Sequence, residues 1–379
     1  MKFVEDLGRR MKDRAGELRE LSSGGTKVVG YFPGGYFPVE LAYAAGAVPV
    51  ALNRGGDHEA VEITGSYMSR WIYTFGRANF GYKLLGSEPV YENIDIYFIP
   101  ITDNHVRMVA DTWDVFTDVE VFRFGVPHTR HEWSVDYFRN GMEMLKARLE
   151  ELTGNQVDDK KLNEAIEYSN RERWLFEELR DMRKAEPPVI SARDFVALNH
   201  ASLMLDRSEM VERLQKIVNE LKEGGRPEPA RPRLMLMGTT LAYGDYRILD
   251  MIDTAGGDVV VEEFGEGVRP YQQPVAINGN PMKALAETYF STRVPPAWFR
   301  PNVERQELAV KLAREYAVDG VIWYQMMNRE SDEFESYWYP EVFREGAGVP
   351  MLKLVSDYDS VERGSFQTRL ETFMQMVRR

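Results

Sequence analysis

Cysteine is absent from the 379-residue sequence. That excludes disulfides, a thiolate nucleophile and any zinc or iron–sulfur site held by cysteines of this chain. Histidine is scarce, with five in all, and none sits in the His-Glu-x-x-His pattern of a helical zinc site. His128 and His131, three apart in HTRHE, read as surface histidines of a loop; His58, His105 and His200 are isolated. No stretch approaches the about eighteen consecutive apolar residues of a membrane span. The N-terminal segment MKFVEDLGRRMKDRAGELREL is amphipathic and charged, without the apolar core of a signal peptide. A cytoplasmic location is the expectation. Basic residues are also in deficit: 60 acidic against 47 basic residues give a formal net charge of −13. This argues against nucleic acid or an anionic membrane as partner. No serine stands in a G-x-S-x-G elbow, and no P-loop or dinucleotide fingerprint follows a first strand.

What is present describes an α/β protein of more than one domain. The organising stretch is YFPGGYFPVELAYAAGAVPV, residues 31–50. An apolar run over 28–32 enters the Gly34-Gly35 turn, Pro38 opens a short helix over 39–45, Gly46 stops it, and 47–52 resumes as a strand. In a parallel sheet, ligands sit at the carboxyl ends of strands, where Gly34–Tyr36 fall. A plain packing unit with a sterically required glycine pair is the simpler reading of the pattern. Further strands are expected over 94–101 and 119–124, a helix over 67–85, and another beginning near Val106. Residues 1–130 thus read as an N-terminal α/β domain. Residues 131–230 read as a helical segment ending in the linker GGRPEPARP, and 231–379 as a C-terminal α/β domain. In the latter, strands are expected over 234–237, 258–262, 320–325 and 351–355. The loops Gly238-Thr239-Thr240 and Glu262–Gly267 imply a switch-point crevice open to a ligand.

Two segments are dense in aromatics: Tyr67, Trp71, Tyr73, Phe75 and Phe80, and then Trp323, Tyr324, Phe334, Tyr337, Trp338 and Tyr339. Core and interface packing accounts for them; a pocket for a planar acyl group is the sharper alternative. Asp103, Asp319, Asp357 and Asp359 lie near expected strand ends, where carboxylates most often cap helices and turns.

The order of segments resembles the family of 2-hydroxyacyl-CoA dehydratase and benzoyl-CoA reductase subunits. GYFPGGYFPVELAYAAGAVPV is similar to that family's opening segment, and LKARLEELTGNQVDDKKLNEAIEYSNRERWLFEELRDMRKAEPPVISARDF to its central helical one. LMLMGTTL, GGDVVVEEFGEGVRP, EYAVDGVIWYQMM, GVPMLKLVSDYD and FQTRLETF follow in the family's order. The resemblance implies two flavodoxin-like parallel-sheet domains with a helical insertion. It implies paired subunits, an acyl-CoA substrate, low-potential electron transfer in anaerobic metabolism, and a 4Fe–4S cluster between the domains. A separate ATP-dependent iron–sulfur activator would supply the electrons.

The family's cluster cysteines would fall in three loops that here read Ser66-Tyr67-Met68-Ser69, Thr102-Asp103 and Asn328-Arg329-Glu330-Ser331. Oxygen ligands are poor substitutes for thiolates on a soft cluster. The expectation is a cluster-free subunit whose related, Cys-bearing partner holds the iron–sulfur cluster. A structural pseudo-subunit, or a repurposed protein binding acyl-CoA or a hard metal at Asp103, His105 and Glu330, is the alternative. The cleft residues expected to meet substrate or partner are Gly34, Gly35, Tyr36, Tyr67, Thr102, Asp103 and Glu330. Arg70, Arg77, Arg107 and Arg329 are the candidate counter-charges. Against this, Asp103 would simply cap the helix near Val106, and Glu330 would be a solvated loop residue.

Overall fold

A computed structural model of the chain describes residues 2–224, 231–269, 273–277 and 279–377, with side chains from residue 6 onward. The described residues contain two four-stranded sheets, parallel throughout. In the first, β1 (Val28–Tyr31), β2 (Val48–Ala51), β3 (Ile96–Ile101) and β4 (Glu120–Gly125) lie in the order β2-β1-β3-β4. In the second, β5 (Arg233–Thr240), β6 (Asp258–Glu266), β7 (Gly320–Met326) and β8 (Met351–Ser356) repeat that order as β6-β5-β7-β8. The strand order reverses between β1 and β3 and again between β5 and β7. Each sheet therefore has a switch-point crevice at its carboxyl edge.

The strands follow from their composition. IYFIPI in β3, RLMLMGTT in β5 and GVIWYQM in β7 are apolar without alternation, and helices cover both faces, so β5 and β7 are buried along their whole length. Each fully buried side chain such as Phe98, Leu236 or Ile322 contributes roughly 1.5–3 kcal/mol. The outer strands β4 and β8 keep partly exposed positions.

Three expectations shift. The helix expected from residue 67 begins at Thr74 (Thr74–Leu85). The N–H groups that would open it are taken by distant acceptors: Tyr73 N donates to His105 Nδ1 at 3.3 Å and Thr74 N to Met327 O at 3.3 Å. Strands β5 and β6 run past their expected ends, because Gly238 pairs with Phe264 and Thr240 with Glu266. The two glycine-containing loops read as open are thus sheet. Short helices at His58–Glu62, Glu330–Ser336 and Tyr339–Gly346 carry too few turns for a periodic signal. Most of the expected linker, residues 225–230, lies outside the described residues.

Between the sheets in sequence run the helices Glu132–Thr153, Asp159–Met182, Ala192–Ser202 and Arg207–Glu223. Asp158, Ser191 and Asp206 cap the last three through side-chain oxygens. This layer is pinned to both sheets by buried ion pairs. Arg173 donates to Glu40 of the helix Val39–Ala44 at 2.7 Å, and Arg183 donates to Glu262 of β6 at 2.5 and 2.6 Å. Burial alone would raise the Glu40 carboxyl; Arg173 and Arg207 outweigh it, with a hydrogen bond from Tyr289, and hold it down at about 2.

Gly238 allows the central pairing of the second sheet. Its φ is +149°, and a Cβ there would stand 1.9 Å from Tyr324 O on β7. Gly238→Ala is expected to destabilise the protein by about 2–4 kcal/mol, since the neighbour is backbone and cannot rotate away. The shift of the urea midpoint measures this, and a shift below about 0.5 kcal/mol would contradict the packing described.

Candidate functional site between the two sheets

The carboxyl edges of the two sheets face each other. Gly267 N, just after β6, donates to Pro33 O, just after β1, at 3.0 Å, and Asn53 Nδ2 donates to Gly267 O at 2.7 Å. The loop after β7 reaches back the same way: Asn328 Nδ2 donates to Arg70 O at 3.2 Å.

Arg329 stands at the meeting point, with 1% of its side chain exposed. Its Nη2 donates to Glu266 Oε1 at 2.6 Å, and its Nη1 lies 2.8 Å from Asp103 Oδ2. Asp332 is 3.9 Å from Nε. The rings of Tyr73 and Trp298 lie 4.2 and 5.6 Å from the guanidinium carbon. The remaining valences of Glu266 are filled by Tyr73 Oη at 3.0 Å and Thr240 Oγ1 at 2.9 Å. One cation thus joins a carboxylate after β3 to a carboxylate at the end of β6.

The pair titrates asymmetrically. Burial pushes Asp103 up, but Arg329, the Val106 N–H and the Thr102 hydroxyl outweigh it, and the net shift is downward. Glu266 is pushed up to about 7 by burial; Arg329 opposes this and the Asp103 charge adds to it. Burial disfavours the charge on Arg329, yet Asp103 and Glu266 more than compensate and raise its pKa.

The expected cleft residues separate into three groups. Thr102 and Asp103 are at the centre: Thr102 Oγ1 donates to Asp103 Oδ2 at 3.0 Å, and His128 Nε2 meets Thr102 O at 2.6 Å. Asp103 also caps the helix Asn104–Phe116, accepting from His105 N at 2.8 Å and Val106 N at 3.1 Å. It is both cap and ion-pair partner. Gly34, Gly35 and Tyr36 line the first sheet's edge beside a second buried arginine: Arg293 Nη1 donates to Gly34 O at 2.8 Å. Tyr67 and Glu330 stand at the rim. Tyr67 packs edge-on against Phe80 and Phe116, and the largely solvated Glu330 meets His105 Nε2. Of the four candidate counter-charges, Arg329 fills the role. Arg77 bonds Thr64 and Val61, Arg107 faces Asp111, and Arg70 lies over Trp71. Glu266, Arg293 and Trp298 were not among the expected site residues. The Gly265-Glu266-Gly267 run at the end of β6 was the signal for Glu266; Arg293 and Trp298 follow the helix Pro281–Ala286 with no motif.

Of the three loops in which the resemblance locates cluster ligands, those at 102–103 and 328–331 meet through Asp103 and Arg329, and Tyr67 of the third stands at the rim. The donors they bring are carboxylate, hydroxyl, imidazole and amide groups around a guanidinium. That set does not fit a thiolate-held cluster. Nor do Asp103, His105 and Glu330 form a hard-metal site, since Asp103 is engaged by two N–H groups and Arg329. His58, Asp357 and Asp359 do bring ligand atoms within 4.8 Å of one another, but there Asp357 and Asp359 accept the N–H groups of their own turn.

The fold and site define a two-domain, doubly wound α/β protein whose sheets face each other at their carboxyl edges. By its sequence the chain belongs to the family described as 2-hydroxyglutaryl-CoA dehydratase, D-component, which it matches over residues 35–377. Among curated relatives, a protein described as a dehydratase subunit, YjiM, of Escherichia coli (strain K12) is 24% identical, covering 90% of this chain and 89% of that protein. The (R)-phenyllactyl-CoA dehydratase beta subunit of Clostridium sporogenes is 21% identical over 95% of this chain and 94% of its own. A benzoyl-CoA reductase subunit of Thauera aromatica is 23% identical over 78% of this chain and 77% of its own. The solved structure of the SBP FpvC from P. aeruginosa aligns over 93% of this chain and 96% of that one, at 10% identity and a TM-score of 0.22, too slight a likeness to carry an argument. No described helix is long and apolar enough to cross a membrane.

Removing the cation leaves two buried carboxylates facing each other. Arg329→Met is expected to cost about 3–5 kcal/mol, of which Glu266→Gln in the same chain recovers part; the denaturant midpoints of the single and double variants measure this. Glu266 also has a definite pH signature. Its folded pKa, about 7, exceeds the ordinary 4.5, so between those values the folded state binds more protons than the unfolded one. Its contribution is complete below about pH 4.5 and is lost as the pH rises through about 7. Glu266→Gln is expected to flatten the fall in stability between about pH 5 and 8. Parallel pH profiles for parent and variant would contradict the assignment.

Proposed function

We propose that this chain is a subunit of an acyl-CoA dehydratase or reductase complex in which the redox centre belongs to a partner subunit. The observation that carries this reading is Arg329. A guanidinium paired with Asp103 and Glu266 joins two of the loops to which the resemblance assigns thiolates. In this reading the chain itself holds no iron–sulfur cluster. A related Cys-bearing subunit holds it, and an ATP-dependent iron–sulfur activator feeds it low-potential electrons. The names of the relatives support the subunit role: they are beta subunits of acyl-CoA dehydratases and a subunit of a benzoyl-CoA reductase. The edge at Gly34–Tyr36 would contribute to the acyl-CoA cleft, with the paired carboxylates and Tyr73 sealing its floor from water.

The surface supports an interface with such a partner. Trp71, Phe334, Tyr337 and Trp338 are each more than 60% exposed. Large aromatics left in water in this number mark a contact surface. They lie on or beside the loops at 66–73 and 328–331, so a partner seated on them would close the cleft from outside.

The test is anaerobic purification of the chain alone and with a Cys-bearing paralogue. The chain alone is expected to carry no stoichiometric iron or sulfide, and the pair to carry both. Thiolate-to-iron absorbance near about 400 nm in the isolated chain would overturn the reading. Phe334→Ser with Trp338→Ser is expected to weaken assembly at least about tenfold while leaving the chain's own unfolding midpoint unchanged, because both rings are solvated before association.

A further inference from the structure

Charge is balanced at Arg329 and unbalanced at Arg293. Arg293 is 4% exposed, and among the described residues no carboxylate oxygen lies within 4.0 Å of it. Its Nη1 donates to Gly34 O at 2.8 Å, and its Nε, like those of Arg207, Arg305 and Arg329, is buried without a hydrogen-bond partner. The guanidinium lies 4.2 Å from the Tyr36 ring centre and against Gly35, where a Cβ would stand 3.0 Å from it. Arg207, Arg305 and Arg329 are as deeply buried, and in each the neighbouring carboxylates overcome burial and raise the pKa. At Arg293 burial prevails and the pKa falls; Tyr36 and Glu263 do not offset it. Glu263 is already bound by Arg305 at 3.1 Å.

A second guanidinium lies within electrostatic range of the same phenol. Arg130, in the loop after β4, influences both Tyr36 and Arg293 electrostatically. Its Nη1 meets the solvent-side carboxylate of Glu304, and its Nε and Nη2 are buried without partners. Trp298, 6.4 Å from Tyr36 between ring centres, keeps a buried, unpartnered Nε1–H. Three side chains from three segments therefore hold unanswered N–H donors around Tyr36. Buried donors are ordinarily satisfied, and a buried cation without an anion is the costliest exception.

We propose that Arg130, Arg293, Trp298 and Tyr36 form a binding site for a compact oxyanion, a carboxylate or a phosphate carried by the ligand of the cleft. Guanidinium forks match the paired oxygens of such groups. Arg130 has Glu304 and Glu263 is held by Arg305, so the charge of Arg293 is the one left to meet an anionic group. Arg130, with 23% of its side chain exposed, marks the way in from solvent. The inference rests on reading the Gly34–Tyr36 edge as part of a ligand cleft; it needs neither a partner subunit nor a cluster.

The experiment uses the full chain alone, with inorganic phosphate, succinate and coenzyme A as probes, read by calorimetry and by the shift in unfolding temperature. Saturable binding of at least one probe below about 10 mM is expected. Phosphate and coenzyme A without succinate would assign the anion to a phosphate; succinate alone would assign it to an acyl carboxylate. Arg130→Gln is expected to weaken binding at least about tenfold. Arg293→Met is expected to abolish it while leaving the unliganded protein as stable as the parent or more so, because an unpaired buried charge is removed. Absence of saturable binding by every probe, or unchanged affinity in Arg130→Gln, overturns the proposal. Should Arg293→Met fail to fold, Arg293 is structural and the proposal fails for that residue, whatever Arg130→Gln does. Because no activity or complex is measured, this outcome is independent of whether the chain pairs with a Cys-bearing subunit.

Discussion

A charge withdrawn from water must be met by an opposite charge, and the junction of the two sheets is built on that constraint. Arg329 is buried, and only the simultaneous presence of Asp103 after β3 and Glu266 at the end of β6 makes its burial tolerable. Neither sheet can supply both carboxylates, so the cation specifies how the two come together. The same device recurs around it. Arg183 ties the helical layer to β6 through Glu262, Arg173 and Arg207 tie it to Glu40 beside the first sheet, and Arg305 gathers Glu263 and Glu335 below the second. Removing one partner from any of these leaves a buried charge uncompensated, which is why they set geometry more than they add net stability.

The chemical character of the cleft follows from which arginines are paired. At Arg329 two carboxylates meet the charge of the guanidinium. At Arg293, barely a side chain away across Trp298 and Tyr36, the guanidinium has only a carbonyl and a ring. One end of the cleft is thus electrically complete and the other is not. The proposed anion site belongs to the incomplete end, next to Gly34 and Gly35, where the absence of side chains lets Arg293 lie against the backbone.

The family's two-sheet plan gives this distribution a function-level meaning. Both switch points open toward one cleft, so residues after β1, β3, β5 and β7 share a small volume although they lie far apart in sequence. Aromatic side chains that the cleft's own walls do not bury, among them Phe334 and Trp338, are left on the outside of the same loops. The polar joint is thus shielded internally while an apolar rim stands in solvent.

The sequence by itself determined the elements and their type. Apolar runs such as IYFIPI and VIWY can be satisfied only as strands covered on both faces, and the periodic segments from 132 to 223 only as helices. It also determined that no thiolate chemistry resides in this chain. The Asp103 cap was legible because its carboxylate accepts from the N–H groups two and three residues on, a purely local arrangement. Tertiary structure decided everything that depends on contacts between distant residues. Tyr67 went to the rim because Phe80 and Phe116 hold its ring, and the helix after it started late because Tyr73 and Thr74 spend their N–H groups on His105 and Met327. Which of four nearby arginines met Asp103 was settled by the path of the loop after β7, and Glu266 entered only because β6 outran its apolar core. Pairing across more than sixty residues, as between Glu266 and Arg329, leaves no periodicity in the chain; its cause is the desolvation of charges, which exists only once the sheets have met.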